Sequence, residues 1–157
     1  MRNGVSFWIL VAFLVMLHFG LHLSLGLDTA APDLLTVAVL LGSRQLSGGA
    51  AAGLGFGLGL LEDAVSLSAF GAAAATQTVI GYLCARSRDL FVGDSVLFLA
   101  IYLFVGTWLR DVLYYALADA VRRGDPVRSL LVDAPLGALY AAAAGVVAIV
   151  VYRTLTR

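Results

Sequence analysis

Residues Gly48 to Asp63 read GGAAAGLGFGLGLLED, an uncharged run closed by two adjacent carboxylates. Each glycine costs a water-exposed helix about 1 kcal/mol relative to alanine, so this run makes a poor soluble helix. In hydrocarbon the balance changes. Backbone N–H and C=O groups have no water to bond there, so the segment must be helical, and its small residues then let neighbouring helix backbones come close. Gly49, Gly53 and Gly57 lie four apart on one face, while Gly55 and Gly59 lie on a nearly opposite one. Two such faces predict neighbours on both sides and a central position for this helix. Read conservatively, the five glycines are packing surfaces and nothing more.

The rest of the chain agrees with a lipid setting. Its 157 residues are 61% hydrophobic and 13% charged, with a mean hydropathy of +0.96, a composition that cannot be arranged as a water-soluble globule. Ten acidic and ten basic residues cancel, and every basic residue is arginine. No polybasic footprint for nucleic acid is present. The single cysteine, Cys84, has no internal disulfide partner and reads as a packing residue.

A bilayer core of about 30 Å takes about 20 helical residues. Apolar runs at 5–27, 67–85, 95–118 and 130–152 meet that length, and the glycine-rich run 48–63 approaches it. The run from Asp33 to Gly42 is short and becomes usable only when 30–46 is counted as a tilted span or one in thinned bilayer. Arginine placement favours counting it. With six spans and both termini cytoplasmic, Arg2, Arg44, Arg86, Arg88, Arg153 and Arg157 fall inside and Arg122, Arg123 and Arg128 outside. Without that span the later loops invert and the bias is lost. The six-span order also sends Asp28, Asp33, Glu62, Asp63, Asp119, Asp125 and Asp133 toward the outer side. The first run, about 23 residues long and lacking a small-x-small cleavage site, reads as a retained anchor rather than a signal peptide. The expected fold class is therefore an all-α integral membrane bundle of six helices, in a single domain over 1–157.

Ionisable side chains inside a membrane are costly and mark candidate sites. Counted from the inner ends of their helices, His18 and His22 lie roughly 20 to 25 Å up, and Asp63 and Arg110 roughly 22 Å. An outward-facing polar pocket is expected from His18, His22, Asp33, Glu62, Asp63, Arg110, Asp111 and Tyr114, with Tyr115 and Asp133 at its rim. Arg110 is expected to pair with Glu62 or Asp63. Neighbouring positions on a helix are about 100° apart, so Arg110 and Asp111 are expected to serve different partners. The plainer reading is a buried structural pair, or groups reaching for the interface. Asp33, following Pro32, reads as a helix cap.

His18 and His22 share a face at a spacing that can hold a metal, but no third ligand accompanies them, and hydrogen bonding between helices is the expected role. No metal or other cofactor is expected. No Walker loop, H-E-x-x-H or G-x-S-x-G occurs, and the adjacent Glu62 and Asp63 diverge on a helix, so catalysis is not expected.

An apolar first span is followed by Pro32-Asp33-Leu34-Leu35 opening a short second one, then by G-L-G-F-G-L-G-L-L-E-D over Gly53 to Asp63. Phe70-Gly71 and Gly81-Tyr82-Leu83, ending at Arg86, come next. In this order, over about the first 90 residues, the chain resembles the MreD family of the bacterial rod-shape machinery. The resemblance implies a non-enzymatic subunit that binds MreC and helps couple MreB filaments to peptidoglycan synthesis by RodA and a class B penicillin-binding transpeptidase. It also implies a six-helix fold similar to the substrate-binding subunits of energy-coupling-factor transporters, open to the outside. A scaffold is the leading expectation. The rival is a subunit of an energy-coupling-factor transporter that binds a vitamin-like small molecule through His22, Asp63, Arg110 and the tyrosines. A membrane-embedded hydrolase or lipid transferase using acidic residues near the outer leaflet, such as Asp63 and Asp111, comes third.

Overall fold

A computed structural model describes residues 3–25, 32–65, 69–87, 95–118 and 128–155. Those residues form six helices and no strand: α1 (Asn3–Leu25), α2 (Leu34–Ser43), α3 (Gly48–Val65), α4 (Ala72–Ser87), α5 (Val96–Ala118) and α6 (Ala134–Leu155). A π-helical turn, Ser129–Asp133, leads into α6. Pro135, which lacks an N–H to return to the preceding turn, stands where that turn passes into regular helix. The protein is a helical membrane protein. Three stretches, Gly4–His22, Val96–Ala118 and Leu130–Leu155, are long and apolar enough to cross a bilayer. They carry large side chains outward, among them Val5, Ile9, Met16, Leu97, Leu136 and Val147, as lipid-facing helices do.

The centre of the bundle is α2, not α3 as the glycine pattern predicts. All ten residues of α2 are buried, and it touches α1, α3, α4, α5 and α6. A helix that is apolar on every side is stable only when surrounded. At ten residues it is about 15 Å long, half the thickness of a bilayer core, and the stretch 44–47 after it is a turn. Helices α5 and α6 are notched to receive it. A Cβ on Gly106 would sit 2.5 Å from Leu40 Cδ2, and one on Gly145 would sit 2.9 Å from Val37 Cγ1.

The glycines of α3 divide in two. Gly55 and Gly59 are buried against the α4 backbone, where added Cβ atoms would collide with the carbonyls of Gln77 and Ala73; Gly81 of α4 abuts the Ala51 carbonyl in return. Gly49, Gly53 and Gly57 have no atom of another element within 4 Å of a built Cβ and lie open. The expectation of a neighbour on each glycine face therefore fails among the described residues: α3 packs on α4 through Gly55 and Gly59 and touches α2, but its Gly49–Gly53–Gly57 face is bare.

Helix direction alternates along the chain. Phe7 near the start of α1 packs edge-on to Tyr152 near the end of α6, and Arg44 after α2 lies over the ring of Tyr102 in the first half of α5. At the other end, His18 of α1 meets the start of α2, and Asp63 of α3 meets the start of α4. One turn makes the last contact possible. Gly71, with φ +94°, takes a left-handed conformation that side-chain-bearing residues rarely adopt, and α4 begins at the next residue.

Candidate functional site: a buried arginine cluster

Arg110 sits on α5, 9% exposed, with three carboxylates around it. Its Nη2 donates to Glu62 Oε1 at the end of α3, and its Nη1 donates to Asp111 Oδ1 at 3.1 Å. Its Nε is 3.9 Å from Asp33 Oδ2, and its guanidinium lies 4.9 Å from the ring centroid of Tyr114, one turn further along α5. The sequence-level separation of Arg110 from Asp111 is thus corrected. The Cβ directions do diverge, but the arginine side chain is long enough to fold back to its neighbour.

Asp33 is a shared element. Its carboxylate caps α2, accepting from Thr36 N at 3.0 Å and from Thr36 Oγ1 at 2.5 Å, and it also lies 3.9 Å from His18 Nδ1. Gln77 of α4 donates through Nε2 to Thr36 Oγ1 at 2.7 Å, in a fully buried position beside Glu62. Gln77 and Thr36 enter the cluster although neither ionises. Their signal in the sequence is a carboxamide and a hydroxyl set in otherwise apolar runs, where buried polar groups need partners.

Both histidines bond helix backbone, His18 across to α2 and the half-buried His22 within α1 itself, so the expected hydrogen bond between helices is made by His18 alone. His18 Nδ1 accepts from Leu35 N at 3.3 Å, satisfying a free N–H in the first turn of α2, and this bond requires the ring to be unprotonated at that nitrogen. His22 Nδ1 donates to the His18 carbonyl at 2.9 Å, and the two rings stack with centroids 4.2 Å apart. Among the described residues no three metal-ligating side chains converge.

Asp63 leaves the cluster. It is 1% exposed, and its two carboxylate oxygens accept from Ala73 N at 3.1 Å and Ala74 N at 2.8 Å. It caps α4 from the preceding helix, stabilising a positive helix end. Of the two candidate partners for Arg110, the structure selects Glu62. Adjacent carboxylates on one helix thus do different jobs because they point to different neighbours.

Outside Arg110 lies a cavity of about 650 Å³ between α5 and α6, lined on its polar side by Arg110, Asp111, Tyr114, Tyr115, Asp133 and Tyr140. The expected pocket residues therefore fall into three groups. Arg110, Asp111 and Tyr114 face the cavity; His18, His22, Asp33 and Glu62 form or adjoin the buried network behind it; Asp63 stands apart. Chemically the network ties α1, α2, α3, α4 and α5 together, and its hydrogen bonds go to helix ends and to one another, while Glu62 Oε2, Gln77 Oε1 and Arg110 Nε are buried without a hydrogen-bond partner among the described residues.

A family model described as rod shape-determining protein MreD matches residues 1–155. Comparison with curated proteins and with solved structures returns no match to the chain.

Proposed function

The chain belongs to the MreD family of rod shape-determining proteins, and from that premise we propose that it is a non-enzymatic membrane scaffold whose bare α3 face receives the membrane-spanning helix of MreC. The observation that carries this reading is the split among the α3 glycines. Gly55 and Gly59 are consumed by α4, whereas Gly49, Gly53 and Gly57 leave a smooth stripe with nothing against it. Lipid tails fill such a groove poorly, and a helix from another chain can approach it closely enough to gain dispersion contacts along its length. Phe56, Leu60 and Leu61 are exposed nearby and supply apolar contact area.

In this reading the chain crosses the membrane six times with both termini cytoplasmic, the short α2 being carried inside the protein rather than facing lipid. Arg44, Arg86 and Arg153 then lie at the cytoplasmic end, as the positive-inside tendency requires, and the Arg110 cluster lies toward the outside. Through MreC the subunit links MreB filaments to RodA and its partner transpeptidase. The polar network supports this role by holding the helices in one arrangement, so that the docking face is rigid.

The test is a photo-crosslinking amino acid placed at Phe56 in cells. Crosslinks to MreC from position 56, with none from Val147 on α6, are expected. Crosslinks to MreC from 147 and none from 56 would refute docking on α3.

A further inference from the structure

At the end of the bundle opposite the Arg110 cluster, α1, α2, α5 and α6 enclose a second cavity, of about 330 Å³. Its polar lining comes from Arg44, Gln45 and Arg153, and its apolar wall includes Phe7, Leu41 and Ile149. We infer that this cavity binds an anionic phosphate group, its membrane-borne form being the headgroup of a net-negative phospholipid.

The argument starts from the contrast between the two cavities. The one beside Arg110 sets two carboxylates, Asp111 and Asp133, against one guanidinium. The second brings the guanidiniums of Arg44, which follows α2, and Arg153 of α6 to one space together with the Gln45 carboxamide, and among the described residues that line it there is no carboxylate. Guanidinium forks match phosphate oxygens in geometry as well as charge. Basic pockets between membrane helices, beside the headgroup layer, are where anionic lipid headgroups are held.

A plainer role exists for each arginine. Arg44 follows α2 and Arg153 lies in the last turn of α6, where cations complement the negative end of the helix dipole. That role needs only charge near carbonyls. It does not call for two arginines on one cavity, nor for an apolar wall continuing from it. Arg44 is also held in place, its guanidinium 5.4 Å from the centroid of the Tyr102 ring, and the edge-on pair of Phe7 and Tyr152 braces the wall. The cavity has the form an amphiphile needs: a charged mouth and an apolar flank. Its volume falls within the range of small-ligand sites, about 300–1,000 Å³.

The experiment uses the full chain in nanodiscs of phosphatidylcholine alone or of phosphatidylcholine mixed equally with phosphatidylglycerol, followed by native mass spectrometry of the released protein. Retention of phosphatidylglycerol in preference to phosphatidylcholine is expected. Arg44→Gln and Arg153→Gln should each lower that retention about fivefold, the factor for one arginine near a charged membrane surface. Arg153 is exposed on the last turn of α6, so its variant keeps the test valid if Arg44→Gln folds poorly. Inorganic phosphate separates the two sources: displacement of the lipid assigns the site to the phosphate group alone, and resistance assigns it to the whole phospholipid. Equal retention of both lipids, or wild-type retention by Arg153→Gln, overturns the inference.

Discussion

Arg110 of α5 donates to Glu62 of α3 across 48 positions of sequence, and this bond closes a network that reaches α1 through Asp33 and His18. The pair is largely buried, so the cost of breaking it is set by the charge left behind more than by the bond lost.

Arg110→Ala should therefore destabilise the protein by about 3–5 kcal/mol. Unfolding in detergent, followed by circular dichroism, measures it. In double-mutant cycles Arg110 should couple strongly to Glu62→Gln and weakly to Asp63→Asn, since Asp63 bonds elsewhere. Equal coupling to both would contradict the selection of Glu62.

Asp63→Ala should cost about 1–2 kcal/mol through the uncapped start of α4, and Asp63→Asn should cost less because asparagine also caps. Hydrogen exchange at the amides of Ala73 and Ala74 is the local readout. Faster exchange there, with α5 unaffected, is expected.

The two glycine faces of α3 should respond in opposite ways. Gly55→Ala and Gly59→Ala place a Cβ against α4 carbonyls and should reduce stability and detergent monodispersity. Gly53→Ala meets open space and should leave stability unchanged or raise it by up to about 1 kcal/mol, from its better helix propensity. Similar losses at positions 53 and 55 would count against the split.

His18→Ala removes the acceptor for the Leu35 amide in the first turn of α2, a buried bond whose loss should cost about 1–3 kcal/mol. His22→Ala removes a bond made within α1 itself and should cost less. Thermal unfolding of the two variants side by side checks the order.

Much of this architecture is legible in the sequence because lipid simplifies the rules. Apolar length finds α1, α5 and α6, and the ionisable residues of those runs lead to Arg110. Position is harder to read. Both glycine faces of α3 look alike in sequence, and only the fold shows that Gly55 and Gly59 meet α4 while Gly53 meets nothing. The central role of α2 was hidden by its shortness, although ten residues without a charge between Asp33 and Arg44 are what a fully surrounded helix requires. Gly106, which makes room for it in α5, has no small-xxx-small partner to flag it, whereas Gly145 of α6 follows Gly137 and Ala141 at intervals of four, a stripe hidden among the abundant alanines of that helix. Glu62 and Asp63 could not be told apart, because their fates depend on where Gly71 turns the chain and how far Arg110 reaches.

The central claim is tested most directly by co-purifying MreC with the tagged protein in mild detergent, comparing the wild type with Gly53→Leu. The scaffold account predicts that the wild type retains MreC in a defined ratio and that Gly53→Leu folds with normal helix content yet loses it. Retention of MreC by a folded Gly53→Leu variant at the wild-type ratio would contradict the account.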